Sequence, residues 1–284
     1  MARHHSEWSV EIRPQKGWLN VNLKELWQYR DLIYLLARRT FVAMYKQTIL
    51  GPAWAIIQPL LTTSIFTVVF GKIAQISTDG MPQFLFYMCG SVPWNYFARC
   101  LEKTSQTFLE NEKVFGKVYF PRLTTPISNV LASIIQFGVQ MILVLIFLAY
   151  YLAKGAISPN WWAWLLIPVA LVHLGVMGLG FGVIISSLTT KYRDLAILVN
   201  FGVQLWMYAT PIVYPLSQLG DGLMKTILLI NPVTAPVEVF RYAVLGRGTI
   251  VPAYLALSWV ITALVALVGV MLFNHVEKTF MDTV

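Results

Sequence analysis

The chain has 284 residues, 57% of them hydrophobic and 12% charged, with a net charge of +8. Soluble domains carry roughly 25% charged residues, so this composition excludes an ordinary water-soluble protein. What matters about the positive balance is then where the cations sit, and no nucleic-acid partner is expected.

The first fifty residues contain no uninterrupted apolar h-region, so no cleavable signal is expected. Residues 1–18 read as irregular. Residues 19–46 read as an amphipathic helix. Leu23, Leu26, Trp27, Ile33, Tyr34 and Ala37 fall near one side, with Lys24, Arg30, Asp31, Arg38 and Arg39 around the rest. That is the pattern of a helix lying along a membrane surface. The stretch YKQTILGPAWAIIQPLL at 45–61 leads into the first long apolar run. Pro52 suits the first turn of a helix, where its missing N–H costs nothing. Trp54 follows at the depth where an indole prefers the headgroup layer.

The chain divides into a cytoplasmic arm at 1–50 and a membrane domain at 51–284. Six apolar runs follow at about 52–71, 83–100, 126–153, 161–188, 195–214 and 251–273. The fold class expected is therefore an all-α membrane protein: an N-terminal amphipathic interface helix and six transmembrane helices. The second run is rich in aromatics and holds Pro93, where a kink is expected. The fourth carries Gly178-x-x-x-Gly182, which predicts close helix packing. Between the fifth and sixth runs, the apolar piece at 223–230 is too short to cross. It predicts short re-entrant or interfacial helices, broken at Pro215, Pro232 and Pro236. Cys89 and Cys100 lie eleven apart on one run, too poorly placed for a disulfide, and read as buried free thiols.

With the N-terminus inside, fifteen of the 21 Lys and Arg fall on the inner side and five outside. The remaining one, Arg99, lies near the inner end of the second run. This bias predicts a multi-pass protein with both termini cytoplasmic.

No run holds a carboxylate pair or a His/Asp/Glu relay, so ion coupling is not indicated. His173 reads as a hydrogen-bonded structural residue at a helix contact. No G-x-x-x-x-G-K-[ST] sequence is present, so the energy for uphill movement has to come from a partner. The loop LEKTSQTFLENEKVFGKVYFPRLTTP is where that partner would dock. Leu101, Phe108, Leu109 and Phe115 sit there among charges, predicting a short exposed helix that offers aromatic and basic groups. The aromatics Phe84, Tyr87, Trp94, Tyr96, Phe97, Trp206 and Tyr208 suggest a conduit whose faces stack on sugar rings. The competing reading of each is interfacial belt or bulk. Glu238 and Arg241, spaced i,i+3, are expected to pair.

Four stretches carry a family resemblance: YRDLIYLLARRTFVAMYKQTILGPAWAIIQPL, FGKVYFPRLTTPIS at 115–128, KYRDLAILVNFGVQLWMYATPIVYP at 191–215 and NPVTAPVEVFRYAVLG at 231–246. Together they resemble the ABC-2 type exporter permeases that move O antigens, teichoic acids and capsular polymers, in the family's order and over nearly the whole chain. The resemblance implies a homodimer with the pore on its axis, in the bacterial cytoplasmic (inner) membrane. It implies two copies of a separate ABC ATPase, which hold the ATP and Mg, so this chain binds no cofactor or metal and is a transport subunit without catalytic residues. On that pattern Phe115, Lys117, Tyr119, Phe120, Pro121 and Arg122 couple to the ATPase. Arg30, Arg38, Arg39 and Lys46 attract the diphosphate of a lipid-linked polysaccharide, among ordinary membrane lipids. Two other readings are an ABC-2 exporter of a small hydrophobic drug or lipid and a membrane enzyme acting on polyprenyl-linked sugars. The enzyme would need clustered acids, and Asp79, Asp221 and Glu238 are scattered in sequence.

Overall fold

A computed structural model describes residues 23–46, 48–115, 117, 120–192 and 194–283. Among them the chain is helical and has no strand. The amphipathic segment is two helices, α1 (Leu23–Gln28) and α2 (Arg30–Tyr45). Leu26, Ile33, Ala37 and Tyr45 face inward, while Trp27 and Tyr34, expected on the same side, are exposed. One indole and one phenol ring held outward on these surface helices suit a lipid interface better than water. Burial pushes the Tyr45 phenol above its usual range, and the Arg99 cation pulls the other way.

Gly51 has a φ of +53° with nothing near its missing Cβ, so glycine is needed there for backbone freedom alone. The chain then enters a 3₁₀ turn (Gly51–Ala53), α3 (Trp54–Phe66) and a π-helical turn (Thr67–Ile73). Then come α4 (Gln83–Ser105), α5 (Thr107–Phe115) and α6 (Thr124–Ala153). A 3₁₀ turn at Trp161–Leu165 leads into α7 (Leu166–Thr189), and α8 is Leu195–Tyr208. The last three are α9 (Leu223–Ile230), α10 (Thr234–Leu245) and α11 (Pro252–Thr283).

Among the described residues, four segments are long and apolar enough to cross a membrane: Gly51–Ile73, Thr124–Ala153, Trp161–Thr189 and Pro252–Val276. The α9–α10 pair, bent by 89°, makes five if it counts as one span. The outer surfaces of α3, α6 and α11 are studded with exposed Ile, Leu and Val. In water such continuous apolar faces would aggregate; in a bilayer they meet solvent of their own kind.

Two expected spans differ from this test for physical reasons. α4 is less apolar because it faces protein instead of lipid: Leu85 through Trp94 is buried throughout. Pro93 sits inside that helix without ending it. α8 stops at Tyr208, short of the expected 214, because Pro211 lacks a donor and disfavours helix at Thr210. Its 14 residues rise about 21 Å at 1.5 Å per residue, against a hydrocarbon core of about 30 Å. Pro236 does not break α10 but lies in its first turn, where proline is tolerated.

The most extensive helix pair is α4 against α7, and glycines set its spacing. A Cβ on Gly178 would meet Cys100 Cβ at 2.7 Å and the Phe97 carbonyl at 3.0 Å. On its other side α7 meets α11, where a Cβ on Gly269 would meet the Gly180 carbonyl at 2.9 Å. Cys89 and Cys100 are buried free thiols on α4, and Cys100 lies in this seam. His173 Nε2 lies 3.0 Å from both Ser258 Oγ and Thr262 Oγ1. Those hydroxyls donate to the Pro232 and Ser258 carbonyls, so the ring nitrogen is left as the donor. This network ties α7 to α11 and α11 to the start of α10, as expected of a structural histidine.

Candidate functional site

At one end of the bundle the end of α4, α5 and the start of α6 gather with α2. A cavity of about 390 Å³ lies between them, with Arg39, Thr40, Met44, Lys103, Ser128 and Asn129 among its walls. Asn129 Nδ2 donates to the Lys103 carbonyl at 3.1 Å, fixing the α4–α6 angle there. Lys103 Nζ is 3.7 Å from Glu110, a part-exposed pair that contributes at most about 1 kcal/mol. Of the four predicted diphosphate-attracting cations, Arg39 lines this cavity. Arg30 pairs with Asp31 at 3.9 Å and lies 5.9 Å from the Trp27 ring centroid. Arg38 and Lys46 are exposed.

The helix expected to display aromatics turns them inward. Leu101, Phe108 and Phe115 are 1%, 1% and 5% exposed. Phe108 stacks on Phe273 of α11 at 4.8 Å, and Phe115 packs between Phe108 and Phe120. The reason lies in the spacing: Phe108 and Phe115 are i,i+7 and share the face that meets α7 and α11. Among the predicted coupling residues, what remains outward is Lys117, with Phe120, Pro121 and Arg122 half-buried. The Arg122 guanidinium sits 5.7 Å from the Phe115 ring centroid. Pro121 O accepts from Thr124 Oγ1 at 2.7 Å and so anchors the segment to α6. Tyr119 lies outside the described residues.

The aromatics read as a conduit are mostly core. Tyr87, Trp94, Tyr96 and Phe97 are between 0% and 3% exposed. Trp206 touches Trp94, Phe97 and Phe181 edge-on, at 6.4, 5.2 and 5.3 Å, and Phe84 packs on Phe147 at 4.6 Å. Such contacts hold α4, α7 and α8 together by packing, the force available between helices in lipid. Tyr208 is the exposed member of the set.

The other end of the bundle holds two features that sequence reasoning underrated. Asn231, at the α9–α10 bend, accepts from Trp206 Nε1 and from the Val233 amide through Oδ1. Its Nδ2 donates to the Ala209 carbonyl at 2.8 Å and to Thr210 Oγ1 at 3.0 Å. One side chain thus caps α8 and starts α10. Asn231→Ala is expected to cost about 1–3 kcal/mol, because it leaves the Trp206 indole, the Val233 amide and the Thr210 hydroxyl without a part-buried partner. The check is a lowered thermal unfolding midpoint for the purified chain, with Asn231→Asp intermediate.

Glu238 and Arg241 pair as their spacing predicts, but at 2% exposure each they do so inside the protein. Arg241 Nη2 also donates to the Pro211 and Ile212 carbonyls at 2.8 and 3.2 Å, and the guanidinium lies 4.1 Å from the Phe86 ring centroid. Glu238 Oε2 accepts from the Thr249 amide at 2.9 Å. The clasp therefore joins α10, α4, the chain after α8 and the chain before α11. Asp79 and Glu238, scattered in sequence, line one cavity here. The E-x-x-R spacing was the available signal; that the pair would be buried was not readable from it.

The ABC-2 type transporter family matches residues 31–245. Two proteins of Klebsiella pneumoniae, both named O-antigen export system permease protein RfbA, are each 26% identical to this chain over 252 residues, covering 89% of it and 94% of the relative. A protein of the same name from Myxococcus xanthus is 27% identical over 216 residues, covering 75% of this chain and 80% of its own length.

Proposed function

We propose, from the premise that this chain belongs to the ABC-2 type transporter family, that it is the permease subunit of an ATP-driven exporter of a lipid-linked cell-surface polysaccharide, an O antigen or a polymer like it. The observation that carries this is the similarity to permeases named for O-antigen export over 89% of the chain. The chain is a transport subunit and not an enzyme. Its fuel comes from an ABC ATPase, two copies of which bind below a homodimer and hold ATP and Mg. Six crossings thread the bacterial cytoplasmic membrane, with α4 and α8 adding to the four long apolar spans, and both termini face the cytoplasm.

On this reading the α2–α4–α6 end is the inner one. The 390 Å³ cavity, where Arg39 adds a cation to the Lys103–Glu110 pair, gives the substrate's diphosphate a net positive entrance. Lys117 and Arg122 meet the ATPase. A conduit that this chain lines runs along the exposed face of α8, past Phe201, Leu205 and Tyr208, because the α4 aromatics are closed off in the core.

The test is deletion and complementation. Cells lacking the chain should lose the surface polymer and accumulate lipid-linked polymer inside. Normal surface polymer in the deletion strain, with a small apolar compound retained instead, contradicts the reading. Lys117→Glu with Arg122→Glu should then leave the permease in the membrane and cut export at least tenfold, read as surface polymer per permease. Unchanged export in that double variant removes the coupling role.

A further inference from the structure

The cavity at the clasp end has a construction of its own. It measures about 130 Å³ and its walls come from five separate segments, with Asp79, Phe86, Ser217, Glu238, Arg241 and Arg247 among them. It lies by the start of α4. The inner cavity lies by the end of α4: its wall residue Lys103 is 17 residues beyond Phe86, or about 26 Å at 1.5 Å per residue. The two cavities are thus at opposite faces of the bundle.

Its charges balance. Two acids, Asp79 and Glu238, face two cations, Arg241 and Arg247. Ser217 Oγ donates to the Asp79 carboxylate, Gln218 Nε2 approaches that same carboxylate, and Arg247 Nη1 donates to the Asp79 carbonyl at 3.0 Å. Asp79 itself is held at a φ of +55°, a conformation unusual for a side-chain-bearing residue. A balanced site of this kind does not suit a phosphate, which the acids would repel, nor a metal ion, which the arginines would repel.

One polar group is left over. Arg241 Nε is buried and has no hydrogen-bond partner, although both other guanidinium nitrogens donate. A buried unpaired donor on a residue that lines a cavity is a group that a bound acceptor would satisfy. At roughly 10–15 Å³ per water of this measure, the space holds about ten waters, the scale of one monosaccharide ring. Fixed donors and acceptors of both signs, with the edge of an aromatic ring, are what a neutral ring of hydroxyl groups requires.

We infer that this cavity is a binding site for a single neutral sugar residue, on the face where the polymer leaves. The inference rests on the polysaccharide reading above. It gives the exporter a second contact with its cargo, distant from the diphosphate entrance and specific for hydroxyl pattern instead of charge.

The test is saturation-transfer NMR on the complete exporter, permease with its ATPase, in nanodiscs. The probes are the methyl pyranosides of glucose, mannose, galactose and rhamnose. Transfer to at least one probe is expected, reduced at least fivefold by Ser217→Trp, which fills the exposed mouth, and by Arg247→Ala, which removes an exposed wall cation. Both positions are exposed, so elution volume and basal ATP hydrolysis should stay at the parent level. No transfer to any probe, or transfer that survives Ser217→Trp, overturns the inference and leaves a water-filled cavity. Failure of the polysaccharide reading would show separately, as surface polymer persisting in the deletion strain.

Discussion

Glu238→Leu is expected to destabilise the permease by about 3–5 kcal/mol, because it leaves the Arg241 cation buried without its counter-charge. Arg241→Met should do the same to the Glu238 carboxylate and also release the Pro211 and Ile212 carbonyls. The double variant should recover much of the loss, since removing both charges together also removes the desolvation cost. Thermal unfolding of the purified chain, measured for the two single variants and the double, gives the coupling directly. The clasp ties α10 to the turn at 211–215 through the Pro211 and Ile212 carbonyls, so export should fall with stability in both single variants. Equal stability in all four proteins would mean that the clasp adds nothing.

Gly182→Leu carries the second large effect. A Cβ there would already meet Thr104 Cβ at 2.5 Å and the Leu101 carbonyl at 2.8 Å. The nearest atoms include backbone, which cannot swing away. Overpacking of this kind costs about 1–3 kcal/mol or more, and here it also pushes α7 off α4, the pair around which the other helices are arranged. Loss of membrane-inserted protein at 37 °C, seen by immunoblot, is the expected readout. Gly202→Leu is the control: nothing lies within 4 Å of its missing Cβ, and it should accumulate normally.

The helical class, the helicity of the amphipathic N-terminal segment and the bent short pair before the last span were legible because each follows from hydropathy, charge and proline placement. α9 begins and ends where its apolar run does. The glycine seam was readable as close packing, and His173 as structural. What failed to show was direction. Trp27 faces out of α1 and Tyr34 out of α2, and Phe108 and Phe115 face into the bundle. Both errors come from reading a helix without its neighbour: the same apolar residue serves lipid or protein, and periodicity does not say which. The aromatics of α4 misled for the same reason. Burial between three helices and exposure along a pore both favour large rings. Long-range pairing was the other gap. Asp79 and Ser217 lie 138 residues apart, and no local pattern brings them to one cavity.

The central claim is that the 101–125 end of the bundle faces the cytoplasm and meets an ATPase there. Cys89 and Cys100 are fully buried, so a single cysteine at Lys117 can be read against a quiet background. A membrane-impermeant maleimide should label Lys117→Cys in inverted membrane vesicles and leave it untouched in intact cells, and co-expressed ATPase should shield it. Labelling in intact cells would put this segment on the outer face, where no ATP-hydrolysing partner could reach it, and would contradict the account.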